Sequence, residues 1–407
     1  MSTPDSVSDS PPASDGQPAQ ATAAPAGEGK PELEPLRSVH TNTFPAALEQ
    51  LRSSLLVTTY QAGRLVALRP DNGVLNTHFR GFNKPMGLAV SGARLAIGTR
   101  AEIWEYHVNP AVAPKMEPKG RCDCCFMPRN ARCTADMQIH EMEWVGDELW
   151  FVNTLFSCLA VRSDQYSFIP KWRPPFITAL APEDRCHLNG MCQRDGIVRY
   201  VTALGHTDKP NGWRENKKSG GILMDVTTGD VILEGLSMPH SPRWYDGKLW
   251  LLESGNGSIG YVDLERGKYE AIAELPGFTR GIDFVGPLAF IGLSQVRESA
   301  TFSGIPLTER LEERTCGVWA VNIQNGQTVG WVKFEDAVQE IFAVSALRGV
   351  TYPDLVNHDI DILAGSFVLP DEALAQVPAG YRGEKSGTDE TPDGGGEASA
   401  DTAKGSA

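Results

Sequence analysis

A repeat with a period of about fifty residues constrains the fold of this chain more than any other feature. Six short stretches align so that a large apolar residue follows a marked residue by four positions. They are KPMGLAV (84–90), QIHEMEW (138–144), RCHLNGM (185–191), MPHSPRW (238–244), FTRGIDF (278–284) and VQEIFAV (338–344). Most of them are followed by a turn signal such as Asp-Gly and then by further apolar runs. Such self-similarity predicts an architecture built from repeated supersecondary units.

The runs that follow each stretch predict four antiparallel strands per repeat. After 238–244, for example, come KLWLLES, IGYVDL and KYEAIAEL. Short, regularly spaced strands without helical periodicity predict an all-β protein, a six-bladed β-propeller. Residues 54–82 supply three strands without a first one, and 338–347 supply a first strand without its blade. We therefore expect N- and C-terminal strands to share one blade and close the ring, which hides the sheet edges.

The two ends of the chain differ in composition from the repeats. Residues 1–42 and 371–407 are rich in Pro, Ala, Ser, Gly and acids, and contain few large apolar side chains. They bury too little apolar surface to offset the entropy of ordering, so we expect disordered tails around a propeller of residues 43–370. The formal net charge of −14 belongs largely to these tails. It argues against nonspecific nucleic-acid binding.

Composition and motifs exclude several classes of protein. No apolar run approaches the ~20 residues that cross a bilayer, and the N-terminus lacks the pattern of a secretory signal. Eight cysteines in a chain of this length do not make a disulfide scaffold. We therefore expect a cytoplasmic protein with no membrane partner. There is no P-loop, dinucleotide fingerprint or G-x-S-x-G motif, and no basic, aromatic-rich face that would bind nucleic acid.

The marked residues of successive repeats predict a site on the propeller axis, because the first strand of every blade lines the central channel. His140, His187 and His240 occupy this position in three consecutive repeats, followed by Arg280 and Glu340. Three imidazoles and a carboxylate around one axis indicate a divalent metal (Fe, Zn, Cu or Ca) with the three histidines as ligands. Two alternatives stay open: protonated histidines and Arg280 that bind a carboxylate or phosphate, and a channel whose histidines are purely structural.

Long loops are predicted to lie over the same mouth of the channel. The connections 205–220 and 294–315 are polar and far longer than a hairpin needs, and such loops are usually functional or disordered. We expect Arg280 and Glu340 to be the catalytic residues. The candidate substrate contacts on or near these loops are Arg243, Asn189, Asn153, Trp213, Arg214, Glu215, Asn216 and Arg297.

A cysteine cluster precedes the stretch that contains His140. Cys122, Cys124, Cys125 and Cys133 lie within GRCDCCFMPRNARCTAD. Their spacing is not that of a zinc ribbon with two C-x₂-C pairs. A zinc site, a redox-active pair and inert thiols all stay open.

From about residue 45 to 357 the chain resembles a bacterial family of conserved hypothetical proteins. Its members are β-propeller-like and are sometimes described together with tetratricopeptide-repeat proteins. The stretches that carry the resemblance include WFVNTLFSCLA, WRPPFITALAPEDRCHLNGM, MPHSPRW, LPGFTRGIDF, TFSGIPLTER and CGVWAVNI. The resemblance names no reaction, but implies a shared signature that includes His187, Asn189, His240, Arg243 and Arg280. This chain departs from the family at Cys122, Cys133 and Ala135, which leaves the role of that strand in doubt.

These observations favour a metal-dependent propeller enzyme that acts on a small or peptidic anionic substrate at the channel mouth. Hydrolysis or lactone opening, as in gluconolactonase-like propellers, and oxidation at a His-ligated iron, as in propellers of the carotenoid-oxygenase kind, both match such a site by analogy. The alternative is a non-catalytic module that binds a peptide or protein partner on its loop face. The presence of a metal would discriminate between them.

Overall fold

A computed structural model describes residues 36–296 and 303–382. It shows six small antiparallel sheets arranged in a ring, which confirms the predicted six-bladed β-propeller.

Each blade has four strands in the order inner to outer. From the axis outward, blade 1 comprises Ala343–Arg348, Ser53–Thr59, Arg64–Asp71 and Val74–Gly81; blade 2, Leu88–Ser91, Arg94–Gly98, Glu102–Val108 and Cys124–Cys133; blade 3, Ile139–Val145, Glu148–Asn153, Cys158–Val161 and Ile169–Trp172. Blade 4 comprises Leu188–Arg194, Ile197–Ala203, Gly221–Asp225 and Val231–Leu236; blade 5, Pro239–Tyr245, Lys248–Glu253, Ser258–Asp263 and Lys268–Glu274; blade 6, Phe278–Val285, Leu288–Ser294, Cys316–Asn322 and Thr328–Phe334.

The ring closes in blade 1, where strands from opposite ends of the chain pair. Ala343 lies opposite Thr58, and Arg348 lies opposite Ser53. This confirms the predicted closure. The inner strands of neighbouring blades contact one another around the axis, and apolar clusters fill the space between blades, for example around Phe290 between blades 6 and 1. Burial of these faces between neighbours holds the ring together.

Two further strands extend blades at their outer edges in the part of the chain that the structure describes. Ser38–His40 pairs antiparallel with the outer strand of blade 6, and Pro353–Leu355 pairs parallel with Cys124–Phe126 of blade 2. The first of these strands falls within the segment that composition assigned to a tail. Residues 1–35 and 383–407 lie outside the described residues, whereas 371–382 form short exposed helical segments.

Helices are few and peripheral. Thr43–Gln50 covers the seam between blades 6 and 1, where Phe44 meets Phe290 edge to face at a ring-centroid distance of 6.1 Å. The remaining helical segments are Ala113–Lys115, Gly212–Asn216, Pro306–Arg310, Ile360–Ala364, Asp371–Leu374 and Ala379–Tyr381. Within the described ranges, no helix combines the length and the hydropathy that a membrane span requires.

A bulge recurs in the inner strands of blades 3 to 6. Near its N-terminal end, each of these inner strands has one residue more than the stretch of the neighbouring strand with which it pairs. In blade 6 the extra turn is made at Gly281, with a φ of 76°. A Cβ there would come within 2.7 Å of the Val344 amide nitrogen in blade 1, so only glycine permits this approach. Bulges of this kind aim the preceding side chain into the channel mouth.

Candidate functional site

The N-terminal ends of the inner strands surround a cavity of about 420 Å³ at one mouth of the channel. This mouth cavity is lined by Tyr60, Lys84, Met86, Gln138, His140, Leu155, Pro182, Glu183, Asp184, His187, Leu204, Asn211, Trp213, Arg214, Met238, His240, Phe278, Arg280 and Phe342. The three histidines that the repeat singled out therefore face one space, together with Arg280. A volume of this size is typical of a small-molecule site.

The strand register places one residue of each blade at the same level of this cavity. Counted back from the hairpin turns, His140, His240 and Arg280 are equivalent. In blade 4 the equivalent residue is Asn189, and His187 lies two positions earlier. Because strand side chains alternate with a period of two, His187 still points into the same cavity. The sequence alignment was therefore shifted by two residues in blade 4.

Backbone conformation independently supports this register. Gln138, His187 and Met238 all have positive φ, at 53°, 52° and 47°. Each is the entry residue two positions before the cavity level of its blade. The backbone of His187 is therefore left-handed, at the position where blades 3 and 5 have Gln138 and Met238. Its side chain lines the cavity.

In blade 1 the cavity level belongs to Phe342 and not to the predicted catalytic Glu340. The Ser294 hydroxyl donates to the Ile341 carbonyl at 2.9 Å, as the Thr154 hydroxyl does to the Leu188 carbonyl at 2.6 Å. These matching contacts between neighbouring blades make Phe342 the counterpart of Asn189. Glu340 precedes the strand and is not among the residues that line the cavity. Burial raises its pKa.

His140 and His240 are held by the same pair of contacts. The Nδ1 of His140 lies 2.8 Å from the Gln138 carbonyl oxygen and 2.8 Å from the Thr154 hydroxyl. The Nδ1 of His240 lies 2.9 Å from the Met238 carbonyl and 3.0 Å from the Ser254 hydroxyl. A carbonyl can only accept, so Nδ1 carries the proton in both rings. The unprotonated Nε2 of each ring is thereby left for the cavity.

Both imidazoles are neutral at physiological pH. Burial lowers the pKa of His140, and the neighbouring His187 and Arg280 lower it further. Burial and Arg280 likewise lower the pKa of His240. The predicted anion site made of protonated histidines is therefore disfavoured, because these two rings present lone pairs and no positive charge.

His187 forms a different arrangement, a carboxylate–imidazole pair. Its Nδ1 lies 2.9 Å from both carboxylate oxygens of the buried Asp184. The Trp213 indole donates to the same carboxylate at 3.0 Å and its ring lies 4.4 Å from that of His187. The acceptor fixes the proton on Nδ1 and leaves Nε2 as the basic atom. The His140 ring lies edge to face with His187, with centroids 4.9 Å apart.

Arg280 is one of three cationic residues that line the cavity, with Lys84 and Arg214. Its guanidinium carbon lies 3.8 Å above the centre of the Phe342 ring and 5.8 Å from that of Tyr60. Among the residues that the structure describes, no carboxylate lies within ion-pair distance of this guanidinium, and the nearest charge to affect it is Glu141. Burial lowers the pKa of Arg280 to about 9, against the weaker opposite effect of Glu141. The cation is thus held by aromatic faces and has no counter-charge there.

Arg243, a predicted substrate contact, is engaged elsewhere in the channel. Its guanidinium donates to Glu141 at 2.7 Å and to the Pro242 carbonyl at 2.9 Å. Burial opposes the charge of Arg243, but the Glu141 carboxylate outweighs it and raises its pKa. Arg243 does not line the mouth cavity, so this ion pair joins blades 3 and 5 and does not contact a ligand there.

The other predicted contacts divide into three groups. Asn189 is buried, and its side-chain amide donates to the Pro239 carbonyl and accepts from the Thr202 hydroxyl. Asn153 is also buried, and its side-chain oxygen accepts a hydrogen bond from the Phe156 amide. Neither residue lines the mouth cavity. Trp213 and Arg214 line the cavity, whereas Glu215 and Asn216 line a neighbouring surface groove. Arg297 lies outside the described residues.

The first long loop reaches the mouth, where Asn211, Trp213 and Arg214 line the cavity. Ile305 and Leu307 from the second loop pack with Trp213 and with Phe278 at the start of the blade 6 inner strand. None of the described residues of the second loop lines the cavity itself.

The fit of a metal ion is poor despite suitable donor chemistry. Within residues 36–296 and 303–382, no three His, Cys, Asp or Glu side chains come close enough together to hold an ion. The cationic Arg280 also opposes a second positive charge in the same cavity.

Sequence reasoning missed Asp184, Phe342 and the carbonyls of Gln138 and Met238. Asp184 could have been found, because it stands three residues before His187 in PEDRCHLNG. The carbonyl contacts had no signal in the sequence, since they depend on the positive φ of the residues that supply them.

Fold and cavity together define a six-bladed β-propeller with a polar pocket at one mouth of its axial channel. The chain belongs to the family described as a domain of unknown function (DUF4915), whose model matches residues 42–356. That description names no activity. The family match agrees with the resemblance to an uncharacterised bacterial family inferred from the motifs.

Solved structures show similar architecture at low identity. A chain of the crystal structure of the nidogen/laminin complex and a protein of unknown function from Bacteroides caccae each match with 8% identity and a TM-score of 0.46. Each match covers 73% of this chain and 99% of the other. Similarity at this level carries no argument about function. No significant match was found among curated proteins.

Proposed function

We propose that the protein is an enzyme that binds, in the mouth cavity, a small ester or lactone that carries a carboxylate group, and hydrolyses its ester bond. The observation that carries this proposal is Arg280, a half-buried cation that faces the cavity without a carboxylate partner among the described residues. A buried charge is costly unless it is paired. A carboxylate ligand supplies the missing charge and matches the guanidinium fork with two parallel hydrogen bonds.

The remaining walls favour a ligand with an apolar body. Phe342 and Tyr60 hold the guanidinium from below, and Phe278, Met86 and Met238 add apolar surface. The cavity therefore suits a small anion that carries an alkyl or aryl group better than a bare inorganic ion. Polar side chains, among them Gln138 and Asn211, make up most of the rest of the lining.

His187 is positioned to act as a general base. Asp184 holds its Nδ1 proton and leaves Nε2 able to accept a proton from a water molecule. The water oxygen then bonds to the carbonyl carbon of an ester or lactone, and the proton passes through Nε2 to the leaving alkoxide as the carbon–oxygen bond breaks. Neutral His140, with its ring 4.9 Å away, keeps a second lone pair beside this step without adding positive charge.

A divalent metal is the second candidate, because all three imidazoles have Nδ1 occupied by a protein acceptor. Protein metal sites commonly use this arrangement to orient Nε2. Against it stand the lack of a metal-holding group of three among the described residues and the charge of Arg280. Elemental analysis of protein purified without chelator tests this candidate. Stoichiometric metal that is lost in His240→Asn would support it.

The main experiment measures binding and turnover separately. Calorimetry with benzoate and hexanoate should detect binding to the wild-type protein, and p-nitrophenyl monoesters of dicarboxylic acids should be hydrolysed. Arg280→Met should weaken carboxylate binding by about 30-fold or more, the loss typical of removing one partner of a buried charge pair. His187→Asn should leave KM nearly unchanged and lower kcat by about 10²-fold or more.

Arg214→Met is the matched control, since it removes a positive charge that also lines the cavity but lies at the rim, above the Trp213 ring. Its effect on affinity should be small and should vanish at high salt. Wild-type affinity in Arg280→Met would overturn the proposal. Carboxylate binding without turnover would reject the catalytic part and favour the alternative, a non-catalytic module that binds a peptide or protein partner.

A further inference from the structure

A second reactive feature lies away from the cavity, at the outer edge of blade 2. Cys124 and Cys125 begin the strand that receives the C-terminal strand Pro353–Leu355, with Pro353 opposite Cys124. Cys125 is buried and Cys122, just before the strand, is half-buried. The proposed function uses none of these three thiols.

The alternation of strand side chains sorts the three cysteines into a pair and a single thiol. Cys124 packs with Phe126 in the core between blades 1 and 2. Cys125 faces the opposite side, where it packs with Val112 and Met127, and Cys122 packs against that same cluster. The described residues contain no group of three that could hold a metal, so this geometry disfavours zinc and leaves a C-x-x-C pair.

A bend at Asp123 brings the pair together. The Asp123 carboxylate accepts hydrogen bonds from the Thr351 amide at 2.6 Å and from the Tyr352 amide at 2.9 Å. The Cys122 thiol donates to the Cys124 carbonyl at 3.4 Å and packs against the same apolar cluster as Cys125. The two cysteines, three residues apart, thus lie on the same side of the chain, although the following strand is extended.

The two thiols differ in reactivity. The hydrogen bond from Cys125 lowers the pKa of Cys122, and the same contact together with burial raises the pKa of Cys125. Nucleophilic attack by a thiol requires the thiolate and access to the reagent. Cys122 has the lower pKa of the two and is half-buried, whereas Cys125 is buried and its pKa is raised.

We propose that Cys122 and Cys125 form a dithiol–disulfide couple, with Cys122 as the attacking thiol and Cys125 as the resolving thiol. The oxidant is a low-molecular-weight disulfide of the glutathione class. The Cys122 thiolate attacks one of its sulfurs, which forms a mixed disulfide and releases one thiol. Cys125 then loses its proton and attacks the Cys122 sulfur, which releases the second thiol. Two protein thiols are oxidised and one small disulfide is reduced to two thiols.

The experiment oxidises the reduced full chain with glutathione disulfide and analyses it by intact mass and peptide mapping. The wild-type protein should yield a Cys122–Cys125 cross-linked peptide that has lost two hydrogens in mass, without a lasting glutathione adduct on Cys122. Cys125→Ala should stop at a stable glutathione adduct on Cys122. Cys122→Ser should form neither product, and because this side chain is half-buried the change should leave the fold intact.

Cys133→Ser is the control, because Cys133 is the exposed thiol at the far end of the same strand. This variant should form the Cys122–Cys125 link as the wild type does. A persistent mixed disulfide on wild-type Cys122, or a cross-link that joins Cys124 or Cys133 instead, would overturn the proposal. Loss of the link in Cys133→Ser would do so as well.

Discussion

Arg243 and Arg280 come from the inner strands of adjacent blades, yet they experience opposite electrostatic surroundings. Arg243 lies in the channel with Glu141 at 2.7 Å, and this pair raises its pKa. Arg280 lies at the mouth on the faces of Phe342 and Tyr60, and burial lowers its pKa to about 9. One arginine is paired with a carboxylate of the protein, and the other has no carboxylate partner among the described residues.

This difference shows how a structural charge and a binding charge can be told apart within one channel. Both arginines belong to the signature that the family resemblance implied, and both were predicted to contact substrate or take part in catalysis. Only the structure reveals that Glu141, which is 102 residues earlier in the chain, neutralises one of them. The unpaired charge is the better candidate for function.

Stability should separate the two arginines most strongly. Arg243→Met leaves the buried Glu141 without its partner, and we expect a loss of about 2–4 kcal/mol in the free energy of unfolding, below the range for a fully buried pair because the Arg243 side chain is 22% exposed. Arg280→Met removes an uncompensated cation and should leave stability unchanged or higher. Urea denaturation measures both.

The double variant Glu141→Gln/Arg243→Met is the control for this comparison. It removes both charges of the pair, so it should recover part of the stability lost in Arg243→Met. Equal destabilisation by the two single arginine variants would break the comparison.

Dependence on pH provides a second test, through His140 and His240. Their pKa values in the folded state lie below that of an unfolded histidine, about 6.5. As the pH falls below 6.5, the unfolded chain takes up protons that the folded chain refuses, so stability falls by up to about 1.4 kcal/mol per pH unit for each ring. Above that pH the contribution is fully present. The double variant His140→Asn/His240→Asn should show a shallower loss between pH 6.5 and 5 in denaturation series.

Arg280→Met should also make this loss shallower, because Arg280 helps to lower the pKa of both rings. Arg243→Met should not, since it is not among the groups that shift either ring. A pH dependence identical in the wild type and in both arginine variants would show that the two arginines do not differ in their effect on the mouth cavity.

The smallest effect is expected at the N-terminal edge, far from both arginines. Deleting residues 1–35 should leave the melting temperature unchanged if, as composition indicates, that segment does not pack. Deleting residues 1–41 also removes Ser38–His40 from the edge of blade 6 and should cost about 1–2 kcal/mol, the value of a few net hydrogen bonds. Carboxylate affinity should be the same in both truncated proteins, measured by calorimetry. A loss of affinity would link the edge strand to the cavity and weaken the separation of structural from binding roles.

The sequence alone determined the number of blades, the closure of the ring and the position of the histidines at one mouth. Each repeat carries its own strands and turns, and an isolated blade cannot bury its apolar faces, so the count of repeats sets the size of the ring. The turn signals and the alternating apolar residues are local features. They can be read without knowledge of what packs against them.

Only the tertiary structure decided the register at the cavity and the partners of its charges. In blade 1 Phe342 stands at the cavity level in place of Glu340, and in blade 4 Asn189 stands level with His140. The spacing of the motifs did not predict this register, because it depends on how the inner strands of adjacent blades meet. The pairing of Glu141 with Arg243, and the lack of such a partner for Arg280 among the described residues, likewise arise across the channel. Charge compensation between distant segments is a property of the closed ring, and a local sequence pattern does not contain it.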